Sequence, residues 1–336
     1  MYTNKKIITR DIRIDALRAL AILLILLAHS NVKGVIFNIR TFDVPLMAFL
    51  LGMSFTYNNL NESYIQYVIK RSKRLLIPTW KFLAIIFIIF YIIAYIFSIN
   101  YPFSNHYIFN SLMMNTSYGY GWVMKVFFIV SILNPIILKL SNKFTRFQSS
   151  IIVFLTILFV QQILITCTKY LPDAWSYYYE QIVTIPFGYF TMAYLGMVLI
   201  HIENKKLIKW ICILFLLTVG SFFLYGFHGL NTFKYPPQSP YICYGLLCSI
   251  VLLFMTNIGG VQVMIKKYSP KISWLSKHSQ DIYFIHAFYI FLYEFLIKKL
   301  FFQIDHWFLF YTYLLGSSII TIIIYQWIIK RMASIQ

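Results

Sequence analysis

The sequence predicts an all-α integral membrane protein, a bundle of about ten transmembrane helices with both termini cytoplasmic. Three observations carry this. Hydrophobic residues make up 60% of the 336-residue chain and charged residues 12%, whereas a soluble domain carries about 25% charged residues. The apolar residues fall in stretches of about 20, the length a helix needs to cross a hydrocarbon core about 30 Å thick. The basic residues sit in short clusters between those stretches.

Ten stretches fit the template, at 14–33, 42–60, 79–99, 120–138, 149–168, 181–201, 207–227, 240–258, 280–301 and 307–329. Lys5, Lys6, Arg10 and Arg13 precede the first. A cleaved signal peptide begins similarly, but a small-residue cleavage site followed by a polar domain is missing. The first stretch is therefore read as an uncleaved span. With the N-terminus inside, the inside segments hold 20 Lys and Arg residues, including Lys70, Arg71, Lys73 and Arg74. The outside segments hold six: Lys33, Arg40, Lys169, Lys234, Lys298 and Lys299. The positive-inside rule then puts both termini in the cytoplasm, which requires an even number of spans.

The outside loops 100–120, 169–180 and 228–240 are rich in aromatic residues. An interfacial aromatic belt accounts for them, and so does a site for an extracytoplasmic substrate. No internal repeat or low-complexity linker divides the chain, so residues 1–336 are read as a single membrane domain. The net charge of +19 is dispersed among loops, and no nucleic-acid reader motif is present, so nucleic acid is not an expected partner. Cys167, Cys212, Cys243 and Cys248 lie in or beside apolar runs without a CxxC pair. They read as packing residues, and no metal is expected.

Ionisable groups inside spans are costly, about 2.5–3.5 kcal/mol for an Arg or Asp at a helix centre on insertion scales. They persist where they face a cavity or a partner. The first span holds Asp15, Arg18 and His29. Eleven residues separate Arg18 from His29, which puts them on one helical face about 16 Å apart. Asp15 lies one turn before Arg18, within reach of an ion pair. Interfacial anchoring also explains Asp15 and Arg18, and a packed core histidine also explains His29.

The run Asp15-Ala16-Leu17-Arg18 through Ala28-His29-Ser30 resembles the opening signature of the acyltransferase-3 family, an Arg followed by ten residues and a His. Val44-Pro45-Leu46 leading to Gly52 resembles that family's second-span segment, except that Leu51 stands where the family usually has Ser. Arg71-Ser72-Lys73-Arg74 ahead of Pro78 is similar to its RxxR loop. Trp122 suits a family Trp at the fourth span, and Ser279 to Tyr283 and His286 resembles a late segment in which Ser, Tyr and His recur.

The resemblance implies a ten-span fold and transfer of an acyl group, commonly acetyl from acetyl-CoA, to a carbohydrate. His29, Arg18 and Asp15 are the catalytic candidates. Arg18, Arg71 and Arg74 are candidates for the donor's phosphates, because a planar guanidinium donates bidentate hydrogen bonds. Trp122, Tyr283 and His286 are weaker candidates for substrate contact. Acyl-CoA, a carbohydrate acceptor and the lipid bilayer are the expected partners, with no permanently bound cofactor. The expected location is a cell membrane, bacterial and cytoplasmic.

A sugar hydroxyl must lose its proton as it attacks a thioester, and a neutral His is the usual base. His29 lies some 15 residues, or about 22 Å, above the cytoplasmic end. A transient acyl-His29 is the other route. A transporter or flippase of glycan intermediates is the alternative function, and it would favour inverted repeats with broken helices. Pro78 is expected to start the third helix, its positive end reinforcing Arg71 and Arg74. Asp281 is expected to pair with Lys277 in preference to orienting a His, Lys125 to snorkel, and Asp43 to be solvated. Lys234-Tyr235-Pro236-Pro237 reads as a rigid turn into the eighth span.

Overall fold

A computed structural model describes residues 11–56, 63–200, 202–301 and 303–334. Lys5, Lys6, Arg10 and the ends of the second and sixth expected spans (57–60 and 201) lie outside the described residues. Every element is helical. We label the long ones α1 (Ile12–Ala28), α2 (Asp43–Thr56), α3 (Tyr64–Ile96), α4 (Trp122–Lys143) and α5 (Phe147–Thr168). They continue as α6 (Ile185–Leu199), α7 (Asn204–Tyr225), α8 (Ser239–Thr256), α9 (Ser279–Leu292) and α10 (Trp307–Ala333).

Eight helices among the described residues are long and apolar enough to cross a membrane. Two of these include preceding turns, Gly34–Thr56 and Asp173–Leu199. The segment 169–180, expected as a loop, is therefore mostly helix. The remaining two expected spans correspond to shorter α-helices. α1 has 17 residues. α9 has 14 and runs into a π-helical turn at Tyr293–Ile297.

α1 starts on Asp11, whose carboxylate caps the Arg13 N–H at 2.9 Å. Arg13 reaches on to Asn257 at the end of α8, 2.7 Å away. The helix ends where Asn31 takes a left-handed conformation, φ 62°. His29 is its C-cap, and its N–H donates to the Leu26 carbonyl at 3.1 Å. The cap is what turns the chain away just after the His29 ring.

α2 crosses α6 with backbone against backbone. A Cβ on Gly52 would strike the Ala193 carbonyl, and one on Gly196 the Phe49 carbonyl. Small residues at such crossings let membrane helices approach closely. That contact fixes α2, and with it the wall of the cavity described below.

The third helix departs from expectation. It begins at Tyr64, not near Pro78, because Ser63 and Gln66 form a reciprocal capping box. Pro78 lies inside the helix and cannot donate to the Arg74 carbonyl. Gln280 Nε2 of α9 donates to that carbonyl instead, at 3.1 Å. Pro135 in α4 likewise frees the Ser131 carbonyl, and the buried Tyr67 hydroxyl takes it at 2.8 Å. Two prolines thus become docking points between helices. Tyr67→Phe should lower stability by about 1–3 kcal/mol, because a buried acceptor loses its donor. Tyr64→Phe at the exposed Ile132 carbonyl should cost within about 0.5 kcal/mol. Thermal unfolding in detergent compares the two.

Candidate active site

A cavity of about 590 Å³ opens among α1, α2, α3, α4 and α9 on the side of the α1 N-terminus. Asp15, Arg18, Arg71, Arg74 and Tyr283 line it together. Asp15 is 2% exposed and accepts from Ser276 Oγ at 2.7 Å. Arg18 Nη1 lies 3.7 Å from Asp15 Oδ1, and Nη2 donates to Ser54 Oγ at 2.8 Å. The Arg18 guanidinium is therefore held from two sides while still lining the cavity. The Arg71 guanidinium lies over the Tyr67 ring, 5.1 Å from its centroid.

Arg71 and Arg74 are on the second and third turns of α3, not in a loop before it. The helix N-terminus at Ser63 is too distant to reinforce them, because the dipole effect fades within the first turn. Leu51 lines the cavity where the resemblance called for a serine. The hydroxyl on that face comes one turn later, from Ser54.

Ile22 and Ile25 carry the cavity wall up α1. Ile25 is one helical turn, about 6 Å, below His29. The His29 ring is T-shaped against Tyr120 at 4.9 Å and tilted against His286 at 5.3 Å. Tyr283 joins the two regions. It lines the cavity, packs its ring tilted against His286 at 5.4 Å, and donates its hydroxyl to the Tyr120 carbonyl at 2.6 Å.

His286 is fully buried. Its Nδ1 is 3.2 Å from the Ile282 carbonyl, which assigns the proton to Nδ1. Nε2 is then a bare acceptor, with no partner among the described residues. His29 makes no side-chain hydrogen bond among them, so its imidazole has free donor and acceptor capacity.

Beyond His29 lies a further polar group that the sequence did not reveal. Asp43 is buried, not solvated. It pairs with Arg40 at 2.6 Å, with 2% and 5% of the side chains exposed, and Asp43 Oδ1 accepts the Val44 N–H at 2.7 Å. Lys234 places its ammonium 5.4 Å from the Trp122 ring centroid and 5.2 Å from that of Tyr235. Burial pushes this ammonium below its usual range, opposed by Asp43 and assisted by Arg40. Arg40 and Lys234 both bear electrostatically on His29. Trp122 opens α4 as expected, but it belongs to this group and does not line the cavity, whereas Val123 and Met124 do.

Asp281 pairs with His278 Nδ1 at 2.9 Å, not with Lys277, because His278 is the residue three before it. Lys125 donates to Asn115 Oδ1 in the 100–120 connection at 3.0 Å.

The model of the acyltransferase domain of the acyltransferase-3 family matches residues 11–326. The chain belongs to this family. It is a membrane acyltransferase, and the match spans α1 through most of α10. No curated protein matches the chain, and no solved structure does. Of the residues put forward from the sequence of this acyltransferase, the structure brings Asp15, Arg18, Arg71, Arg74 and Tyr283 to one cavity. It brings His29 and His286 to one ring cluster above it. Ser54, Ser276, Tyr120, Arg40 and Lys234 join them only through the fold.

Proposed function

We propose that this acyltransferase moves an acyl group, acetyl in the simplest case, from acyl-CoA to a hydroxyl of a cell-surface or exported glycan. His29 acts as the general base. The observation that supports this reading most is the shared cavity: three arginines line a space that climbs α1 to within one turn of His29. Guanidinium groups suit the donor's phosphates, and a wall of Ile22, Ile25 and Leu51 suits the uncharged thioester arm.

In the proposed step, His29 accepts the proton of the acceptor hydroxyl as its oxygen attacks the thioester carbonyl. The carbon–sulfur bond then breaks. The imidazolium returns the proton to the departing thiolate, giving the ester and free CoA. His286 is a positioning residue in this scheme. Its bare Nε2 beside His29 is suited to hold an imidazole N–H and so fix which nitrogen of His29 receives the proton.

The donor side is tested by the double variant Arg71→Lys/Arg74→Lys. It keeps the charge but removes bidentate geometry. KM for acetyl-CoA should rise about tenfold or more, the scale of a lost charged hydrogen bond, with kcat changed less. The assay is release of CoA thiol by purified protein in nanodiscs. An unchanged KM would leave these arginines as topological charges and move the donor elsewhere.

A further inference from the structure

Among the described residues, Lys234 is a charged group in the His29 neighbourhood left without a paired opposite charge. Arg40 and Asp43 neutralise each other at 2.6 Å. Lys234 makes no side-chain hydrogen bond or ion pair among the described residues, and its ammonium lies beside the rings of Trp122 and Tyr235. Asp43 is close enough to act on it, but it is committed to Arg40 and to the Val44 N–H. A half-buried cation without a counter-charge is unfavourable unless something supplies one.

Its position indicates which ligand. Lys234 follows the short turn Leu230–Phe233 in the connection between α7 and α8. Tyr235 beside it is 41% exposed, so the group is open to the outside of the fold. Neither Lys234 nor Trp122 lines the arginine cavity. A molecule meeting Lys234 therefore approaches His29 from outside that cavity. The exposed Tyr235 ring beside the cation is also a platform on which a pyranose can stack while its charged substituent is held, with the buried Trp122 ring packed against it at 5.1 Å.

We propose that Lys234 and Tyr235 form the acceptor subsite, and that the acceptor carries an anionic group, a carboxylate or a phosphate, which pairs with the Lys234 ammonium. This rests on reading the same site as a glycan acyltransferase. The Arg40–Asp43 pair acts behind it as a neutral brace, leaving the charge of Lys234 for the ligand. His29, within electrostatic reach of Lys234, then meets a hydroxyl of the anchored residue.

The test is binding, without acyl-CoA, to the full chain in nanodiscs at matched ionic strength. Isothermal titration with D-glucuronate, glycerol 1-phosphate and D-glucose separates carboxylate, phosphate and neutral probes. At least one anion should bind about tenfold or more tighter than glucose, the scale of a charged hydrogen bond. The better anion names the source. Lys234→Met should erase the preference, and Lys234→Arg should keep it. Lys234→Gln, which stays polar beside the rings, replaces the Met variant if that one does not fold. Equal binding of all three probes by the parent overturns the proposal without any variant. So does a preference that survives loss of the charge. His29→Ala should retain the anion preference, so loss of transfer with intact anion binding would count against the base and not against this subsite.

Discussion

His29→Ala should lose acyl transfer by about 10²-fold or more, the range assigned to a general base, while the protein still inserts and accumulates. The expectation follows from the ring's surroundings. Tyr120 and His286 hold it by ring contact alone, so removing it breaks no side-chain hydrogen bond among the described residues. The loss should appear in kcat, with KM for acetyl-CoA little changed, because the arginines lie at least a turn of α1 away. His286→Gln should retain more activity than His286→Ala, since the amide can still offer an acceptor. Equal loss in both would mean that packing, not the Nε2 lone pair, is what His286 contributes. Turnover kinetics in nanodiscs with matched protein levels provide the comparison.

Asp43→Ala should be the most damaging single change to stability, at about 3–5 kcal/mol, the cost of stranding one member of a buried ion pair. Arg40 is 4% exposed, and its Nε already has no partner. Without Asp43 its whole charge would be uncompensated beside His29 and Lys234. The double change Arg40→Met/Asp43→Leu should recover most of the loss, because replacing both charges with apolar groups is often neutral. Unfolding midpoints of the three variants in one detergent measure this. A double variant as unstable as Asp43→Ala would show that the pair has partners beyond each other.

The membrane fold was legible because hydrophobic length and loop charge follow directly from the physics of a bilayer. Asp15, Arg18 and His29 were legible for a related reason: charge within an apolar helix is costly, and spacing alone puts all three on one face. Arg40 and Asp43 were open to the same logic, being three residues apart at the start of an apolar run. They were missed because Arg40 falls between two expected spans and Asp43 at the first turn of the second, positions where a charge is ordinarily solvated. The short helix Gly34–Ile39 and the turn Arg40–Phe42 fold them inward instead. The start of α3 was missed because hydropathy registers only its lipid-crossing part, not the charged turns from Tyr64 onward. Pro78 misled because the group that makes it tolerable, Gln280, is 206 residues from the Arg74 carbonyl to which it donates. Ser276, 261 residues from Asp15, carried no sequence signal at all.

Esterification of a glycan through His29 is open to direct test in cells. NMR and mass spectrometry of the surface and exported glycans should be compared across three strains: one lacking this protein, one restored with the parent, and one restored with His29→Ala at equal membrane abundance. An O-acyl ester should be present only with the parent, its mass naming the acyl group and its position the hydroxyl. Identical ester content in all three strains would contradict it.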